Sequence, residues 1–336
     1  MSYESIDFFK KKSYTDRRLT ERMRMVAFVF PGQGSQAVGM GKDLYDSFPA
    51  ARAVFEAIDD ALGQKLSALM FAGNMEELTQ TQNVQPAIMA VGMAVVRVLE
   101  SETGKQINEL CHTVAGHSLG EYTALCAAES LSVADAAKLL RARGTAMAHA
   151  ADKNPGKMAV VLGLSLEQVA ELVRRANQAG EICVVANDNA PGQVVISGHP
   201  AAIERAVGIG KVLGAKRVMP LNVSGAFHSD LMQAAAEEFC PTLTRAILQA
   251  PKVPVVSNVT AAEETDVGKI KGLLATQMTS SVRWTESVQF LMKRGVKKYI
   301  ECGPGTVMKS MISRIDPTAE VVCLSDVASI GAFLGK

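Results

Sequence analysis

Short apolar runs alternate with segments of helical periodicity along most of the chain. The runs at 25–30 and 321–324 are continuously apolar and of strand length, which is typical of strands buried inside a parallel sheet. Segments such as 50–62 and 85–102 have apolar residues at helical spacing, and a polar loop is predicted between them at 78–86. Strands that alternate with helices predict an α/β fold with a mainly parallel sheet.

The order of predicted elements changes between residues 154 and 222. A Pro-Gly break at 155–156 is followed by strands and helices in the order βαββαβ, which is the ferredoxin-like pattern. The predicted strands are 157–164, 181–187, 193–197 and 215–221, and the predicted helices are 166–179 and 200–213. We therefore predict a small domain, 154–222, inserted into a large domain formed by 25–153 and 223–330.

The first 24 residues are polar and rich in Lys and Arg. They lack the apolar core of a secretory signal, so no export signal is predicted. Two explanations stay open for residues 1–24. They form a disordered or loosely docked arm, or they are an artefact of the start site, because Met23 and Met25 directly precede the first predicted strand.

Composition excludes several classes of protein. The 336 residues are 48% hydrophobic and 21% charged, which favours a globular chain over a disordered one. A net charge of +1 argues against broad nucleic-acid binding, and no apolar run reaches the roughly 18 residues needed to span a membrane. The 6 cysteines are scattered without a C-x-x-C motif, which indicates free thiols in a reducing, cytoplasmic compartment and no metal site.

The strongest single motif is GHSLG at 116–120, a G-x-S-x-G run between a predicted strand and a predicted helix. This context is that of a nucleophile elbow, in which a strained turn exposes the serine, here Ser118, at a helix N-terminus. Glycines flank such a serine because larger side chains would collide with the neighbouring backbone. A glycine-rich turn without chemistry is the alternative.

A second glycine-rich loop follows the first strand. Gly32, Gly34 and Ala37 satisfy G-x-G-x-x-A, a dinucleotide fingerprint that also requires an acidic residue at the end of a second strand. The acidic residues at 56, 59 and 60 instead lie in a helical pattern. A loop that offers backbone N–H groups to an oxyanion is the favoured interpretation, and a nucleotide-binding oxidoreductase is the alternative.

Six motifs in order resemble one family. They are PGQGSQ at 31–36, GHSLGEY at 116–122, R-x-R-G at 141–144, NAPGQVVISG at 189–198, GAFH at 225–228 and ECGPG at 301–305. Together they resemble the malonyl-CoA:acyl carrier protein transacylases, the FabD-like acyltransferase family that includes polyketide synthase acyltransferases. The resemblance implies an α/β-hydrolase-like large domain with an inserted ferredoxin-like domain and an active site in the cleft between them.

The resemblance also implies the reaction. A malonyl group would pass from malonyl-CoA to a serine ester and then to the phosphopantetheine thiol of acyl carrier protein, without a cofactor, in fatty-acid synthesis. A stand-alone acyltransferase of a polyketide pathway and a serine thioesterase or hydrolase are the alternatives. The partners expected are malonyl-CoA and acyl carrier protein, with no nucleic acid and no membrane, and a monomer is expected.

The family roles transfer to matching positions of this sequence. Ser118 matches the nucleophile and His228 its base, and Arg143 matches the residue that binds the malonate carboxylate. The backbone N–H groups of Gln33 and Leu119 match the oxyanion hole. The resemblance implies five further substrate-binding positions: Gln277, Phe227, His117, Asn187 and Asn189.

Reasoning from the residues supports part of this assignment. A planar, permanently charged guanidinium suits a desolvated carboxylate, and Arg141, two residues from Arg143, faces another side of the helix. No acidic residue between Ser118 and His228 stands out as a third member. The resemblance implies that a backbone carbonyl near Gln277 orients the histidine instead. The expected docking charges for an acidic carrier are Lys211, Lys216, Arg217, Lys293, Arg294, Lys297 and Lys298.

Overall fold

The computed structural model describes residues 25–223 and 225–336, so the predictions for the arm at 1–24 lie outside the described residues. The strands of the described part form two sheets. In chain order they are β1 (Val26–Phe30), β2 (Thr113–Gly116), β3 (Lys157–Leu162), β4 (Cys183–Ala190), β5 (Gln193–Gly198), β6 (Arg217–Pro220), β7 (Val255–Val256), β8 (Glu263–Glu264), β9 (Lys298–Cys302) and β10 (Glu320–Leu324).

The larger sheet is six-stranded, in the order β10-β9-β1-β2-β7-β8. All its pairs are parallel except the edge pair of β7 with β8. The apolar run of β1 is buried on both faces, with Phe28 and Phe30 in one hydrophobic cluster and Ala27 and Val29 in another. Phe30 lies opposite Gly116, so the loops after β1 and β2 leave the sheet at the same edge.

The smaller sheet is antiparallel, in the order β4-β5-β3-β6. This order, with helices after β3 and β5, is the ferredoxin-like arrangement. The predicted α/β class, with a mainly parallel sheet and a separate ferredoxin-like unit, is therefore confirmed. The domain boundaries at 153–154 and 222–223 stay a prediction.

The helices surround these sheets. In chain order they are α1 (Lys42–Ser47), α2 (Pro49–Leu62), α3 (Leu66–Ala72), α4 (Met75–Thr79), α5 (Thr81–Thr103), α6 (Ile107–Leu110), α7 (Leu119–Ala127), α8 (Val133–Lys153), α9 (Leu166–Ala176), α10 (Pro200–Val212), the 3-10 turn Asp230–Met232, α11 (Gln233–Arg245), α12 (Val267–Gln277), α13 (Trp284–Arg294), α14 (Val307–Ile315) and α15 (Val327–Leu334).

Helix α5 runs through the core of the larger unit. Among the described residues it is the one helix long and apolar enough to cross a membrane by length and composition, and 83% of its apolar window is buried inside the protein. The central helix of a globular core meets the same criterion, so this feature is weak support for a membrane span.

The polar loop predicted at 78–86 is wrong. Helix α5 begins at Thr81 and contains Pro86, and the polar side chains of its first turns bind partners inside the protein. Asn83 accepts a hydrogen bond from Arg141, and Gln85 accepts one from Arg143. The polar side chains of Asn83 and Gln85 therefore bind arginines instead of facing solvent. The strand predicted over 254–259 is also shorter, because only Val255–Val256 pairs in the sheet.

Candidate active site

Ser118 lies in the turn between β2 and α7, at the edge of the larger sheet where the parallel strands have their carboxyl ends. Its backbone has φ 53° and ψ −108°, which is strained for a residue with a side chain. A Cβ added to Gly116 would lie 1.9 Å from the carbonyl carbon of Gly120, and one added to Gly120 would lie 2.3 Å from the oxygen of Phe30. The turn therefore requires glycine at both flanking positions.

His228 lies against the serine. Its Nε2 is 2.8 Å from Ser118 Oγ, and its Nδ1 is 3.0 Å from the carbonyl oxygen of Gln277 and 3.1 Å from that of Ser280. Carbonyl oxygens only accept hydrogen bonds, so Nδ1 carries the proton in the neutral ring and Nε2 is left to accept from the serine hydroxyl. Burial, with the nearby charge of Arg143, lowers the His228 pKa to about 3. The imidazole is therefore a neutral base at physiological pH.

Arg143 reaches the same point from helix α8. Its side chain is 1% exposed, and its Nη2 donates to Ser118 Oγ at 3.1 Å and to Gln277 Oε1 at 3.0 Å. Nη1 donates to Gln85 Oε1 at 2.7 Å, and the guanidinium carbon lies 5.5 Å from the centre of the Tyr122 ring. Burial lowers the Arg143 pKa, but guanidinium remains charged at neutral pH. No carboxylate of the described residues forms an ion pair with it, so its charge is available to an anionic ligand.

Two residues of the cavity have backbone N–H groups that are free to bind a developing oxyanion. Gln33, in the loop after β1, and Leu119, the first residue of α7, both line the cavity that contains Ser118. Neither N–H has a hydrogen-bond partner among the described residues. The N–H of Ser118 itself donates to Asn258 Oδ1 at 2.7 Å and is already occupied. The two free donors are the kind of pair that stabilises a tetrahedral intermediate.

The cavity has a volume of about 290 Å³ and lies between the two sheets. The smaller sheet supplies one wall, through apolar side chains of β3 and β5 and through Asn187 and Asn189 of β4. Asn189 Oδ1 is 2.8 Å from His117 Nε2, which links the wall to the elbow, and burial lowers the His117 pKa. Phe227, buried next to His228, lines the cavity as well.

The structure brings most of the predicted site residues to this cavity. Gln277 differs from the prediction, because its side chain does not line the cavity but lies behind it, bonded to Arg143 and Glu121. Arg141 points elsewhere and donates to Asn83 and Gln64. Among the described residues, no group of three or more His, Cys, Asp or Glu side chains could hold a metal ion.

Sequence reasoning missed two buried polar residues. Asn258 follows β7 and is 1% exposed, and its side chain bonds both the N–H of Ser118 and the carbonyl of Gly116. Glu121 is 3% exposed in the first turn of α7. A signal was present for Asn258, since it stands at the carboxyl end of a strand next to β2, where sites of open α/β sheets form.

Comparison with known proteins agrees over nearly the whole chain. The family model of the acyl transferase domain matches residues 27–331. The malonyl CoA-acyl carrier protein transacylase of Bacillus subtilis (strain 168) is 42% identical over 308 residues, which are 92% of this chain and 96% of that protein.

Solved structures give the same result. The crystal structure of an acyl-carrier-protein-S-malonyltransferase from Bartonella henselae has a TM-score of 0.89 and 44% identity, and covers 93% of this chain and 99% of its own. A malonyl-transacylase in complex with its type II PKS acyl-carrier protein has a TM-score of 0.88 and 38% identity, over 93% and 100% of the two chains. The chain therefore belongs to the acyl transferase family and, within it, to the malonyl CoA-acyl carrier protein transacylases.

Proposed function

We propose that this chain transfers malonyl groups from malonyl-CoA to the phosphopantetheine thiol of an acyl carrier protein, through a malonyl ester on Ser118. The observation that carries the proposal is the convergence of the His228 imidazole and the Arg143 guanidinium on one strained serine hydroxyl. A base explains an acyl transferase or a hydrolase alike. A buried, charged guanidinium next to the nucleophile explains an acyl group that itself carries a carboxylate.

In the first half-reaction, Ser118 Oγ attacks the thioester carbonyl while His228 Nε2 takes the hydroxyl proton. The negative charge on the carbonyl oxygen is stabilised by the N–H groups of Gln33 and Leu119. The carbon–sulfur bond then breaks, and the proton on His228 passes to the departing CoA thiolate. Only a methylene separates the ester carbonyl from the malonyl carboxylate, so Arg143 can hold that carboxylate throughout.

The second half-reaction runs the same steps in reverse with a new thiol. His228 takes the proton of the phosphopantetheine thiol, whose sulfur attacks the Ser118 ester. The carbon–oxygen bond breaks, and His228 returns the proton to Ser118 Oγ. The carbonyls of Gln277 and Ser280 accept from Nδ1–H and hold the ring in the required tautomer without an acidic third member.

The carrier is proposed to dock on a basic groove of about 540 Å³ that includes Lys216, Arg217 and Arg314. Successive residues of a strand point to opposite faces. Met158 lines the active-site cavity and Val160 lines the groove, so both openings lie on one face of the smaller sheet. Lys216 and Arg217 form no ion pair with a described residue, whereas Lys297 and Lys298, also predicted to dock the carrier, are paired with Asp316 and Glu320. An acidic carrier would find unpaired charge in the groove.

The docking proposal is tested with the double variant Lys216→Glu/Arg217→Glu. The KM for the carrier should rise about tenfold, since each lost charge pair at a rim contributes up to ~1 kcal/mol. Acylation of Ser118 by a short malonyl thioester without the CoA nucleotide should stay unchanged. Lys298→Glu is the matched control. Equal KM values for the carrier in the double variant and in Lys298→Glu would contradict the docking surface.

The reaction itself is tested by mixing the protein with labelled malonyl-CoA and a carrier that bears phosphopantetheine. Label should move to the carrier, and release of free malonate without carrier labelling would indicate the hydrolase instead. The acceptor is proposed to be a fatty-acid carrier. The structural neighbour bound to a type II PKS carrier favours a polyketide carrier as the second candidate. Rates with the two carriers, measured side by side, decide between them.

We also propose that the chain works as a monomer in the cytoplasm, without nucleic acid or membrane. The near-neutral net charge and the free cysteines of the described residues support this setting. Analytical ultracentrifugation at micromolar concentration should give a single species of 35.7 kDa.

A further inference from the structure

Glu121 is a buried carboxylate that takes no part in the transfer steps. It lies in the first turn of α7, directly below Ser118, and is 3% exposed. A carboxylate in such a place is costly unless several hydrogen bonds compensate it. Burial raises its pKa to about 7, against the opposing effect of hydrogen bonds from Asn258 and Gln277 and of the charge on Arg143. A group this unfavourable for folding requires an explanation.

One arm of contacts leads from Glu121 to the elbow through Asn258. The Asn258 backbone N–H donates to Glu121 Oε2 at 3.0 Å. The Asn258 side chain accepts from the Ser118 N–H at 2.7 Å and donates to the Gly116 carbonyl at 2.6 Å. The position of Asn258 therefore fixes both sides of the strained turn, and Glu121 fixes Asn258.

The other arm leads to the arginine and the histidine through Gln277. Its Nε2 donates to the same oxygen, Glu121 Oε2, at 2.7 Å and to the Ser118 carbonyl oxygen at 3.1 Å, while its Oε1 accepts from Arg143 Nη2 at 3.0 Å. An acceptor at Glu121 requires the NH₂ group of Gln277 on that side, so the amide oxygen must face Arg143. The backbone carbonyl of Gln277 accepts from His228 Nδ1. One oxygen atom thus binds two residues, Asn258 and Gln277, whose other contacts reach Ser118, Arg143 and His228.

We propose that Glu121 is a positioning residue of this site. Its Oε2 holds Asn258 next to the elbow and sets the amide orientation of Gln277. That orientation in turn holds Arg143 in place for the malonyl carboxylate. The part that concerns malonyl selectivity rests on the proposed function. What matters in this account is the place of the acceptor oxygen rather than the negative charge.

Two conservative variants separate the position of the acceptor oxygen from its negative charge. Glu121→Gln keeps a carbonyl oxygen at the same reach without the charge, and Glu121→Asp keeps the charge but withdraws the oxygen by one methylene. The readout is the ratio of Ser118 acylation rates with malonyl-CoA and acetyl-CoA, followed by intact-protein mass spectrometry. We expect Gln to keep this ratio within about threefold of wild type and Asp to reduce it about tenfold, as expected for one misplaced hydrogen bond to a charged group.

The matched control is Glu301→Asp, which shortens another fully buried carboxylate that binds the backbone N–H groups of Met308 and Lys309. Its malonyl-to-acetyl ratio should equal that of wild type. An unchanged ratio in Glu121→Asp, or an equal loss in Glu121→Gln, would overturn the proposal.

Failure of the proposed function would be visible separately, as a wild-type protein that forms no malonyl ester. In that case a neutral phosphonofluoridate, which labels activated serines, tests the Asn258 arm alone. Slower labelling of Ser118 in Glu121→Asp than in Glu121→Gln supports the positioning role, and equal labelling rates contradict it.

Discussion

The edge of the larger sheet and the face of the smaller sheet form opposite sides of one cavity, but they are built differently. At the edge, Ser118 and His228 both have positive φ; the buried Asn258 side chain holds Ser118, and two backbone carbonyls hold the His228 ring. Within β3 to β6, no residue other than glycine has a positive φ. The smaller sheet contributes apolar side chains and two asparagines. The positions of the reacting groups therefore depend on backbone strain and polar contacts, whereas the smaller sheet defines the shape of the cavity.

The largest effect is expected when the base is removed. His228→Ala should reduce the transfer rate by about 10²–10⁴, since general-base catalysis is lost while the oxyanion donors stay. Steady-state transfer of labelled malonate to the carrier measures the effect. A fall of less than threefold would exclude His228 as the base.

Loss of the guanidinium should separate substrates rather than abolish chemistry. In Arg143→Ala the rate with malonyl-CoA should fall about a hundredfold, because a buried charge-assisted contact to the carboxylate is lost, while acetyl transfer is retained or increased. Arg141→Ala, which removes a guanidinium that faces Asn83 and Gln64, is the control. Equal losses for malonyl and acetyl groups would contradict the carboxylate-binding role.

Glycine substitutions should expose the difference in strain between the two regions. Gly116→Ala should lower the free energy of unfolding by about 3 kcal/mol, because the new Cβ would collide with the backbone of Gly120. Gly208→Ala, in helix α10 of the smaller unit, meets nothing within 4 Å and should raise stability by about 0.5–1 kcal/mol. Urea unfolding measures both, and similar changes in the two variants would refute the contrast.

Acid should lower the free energy of unfolding through the protonation of His228. In the unfolded chain this histidine has a pKa near 6.5, and in the folded protein its pKa is lowered to about 3 by burial. As the pH falls from 6.5 towards 3, the unfolded chain binds a proton that the folded chain does not, so stability falls. At pH 5, compared with pH 7.5, wild type should lose about 2 kcal/mol relative to His228→Ala. A pH-independent difference between the two proteins would contradict a buried neutral imidazole.

The smallest effect is expected on the wall. Asn189→Ala removes the hydrogen bond to His117 and should raise the KM for malonyl-CoA about fivefold, the value of one net hydrogen bond. Asn187→Ala is the control, because its side chain also lines the cavity but has no hydrogen bond to a described residue. A fall in kcat of a hundredfold in either variant would mean that the wall takes part in the chemistry.

Patterns that repeat along the chain were enough for the fold class. Apolar strands and amphipathic helices predicted both sheets, and the βαββαβ order predicted the smaller one. The N-terminal turns of α5 were missed because polar residues before a proline look like a loop until Asn83 and Gln85 are seen to bind arginines. Helix α8 can approach these turns because Gly144 has no side chain, since a Cβ there would lie 2.5 Å from the oxygen of Thr81.

The candidate site divides in the same way. Ser118, His228 and Arg143 stand in motifs, so the sequence indicated them. The GHSLGEY motif contains Glu121 but gives it no role, and Asn258 lies outside the six motifs. Both residues act through contacts with partners more than 130 positions away in the chain, and a single sequence carries no record of such distances. The place of the Gln277 side chain, behind the cavity rather than in it, depended on the same contacts.

The most direct test of the account is a single-turnover experiment with labelled malonyl-CoA, quenched before and after the carrier is added. We predict that label first appears on the peptide that contains Ser118 and then moves to the carrier, and that Ser118→Ala gives neither species. Label that reaches the carrier without passing through Ser118, or that leaves Ser118 only as free malonate, would contradict the account.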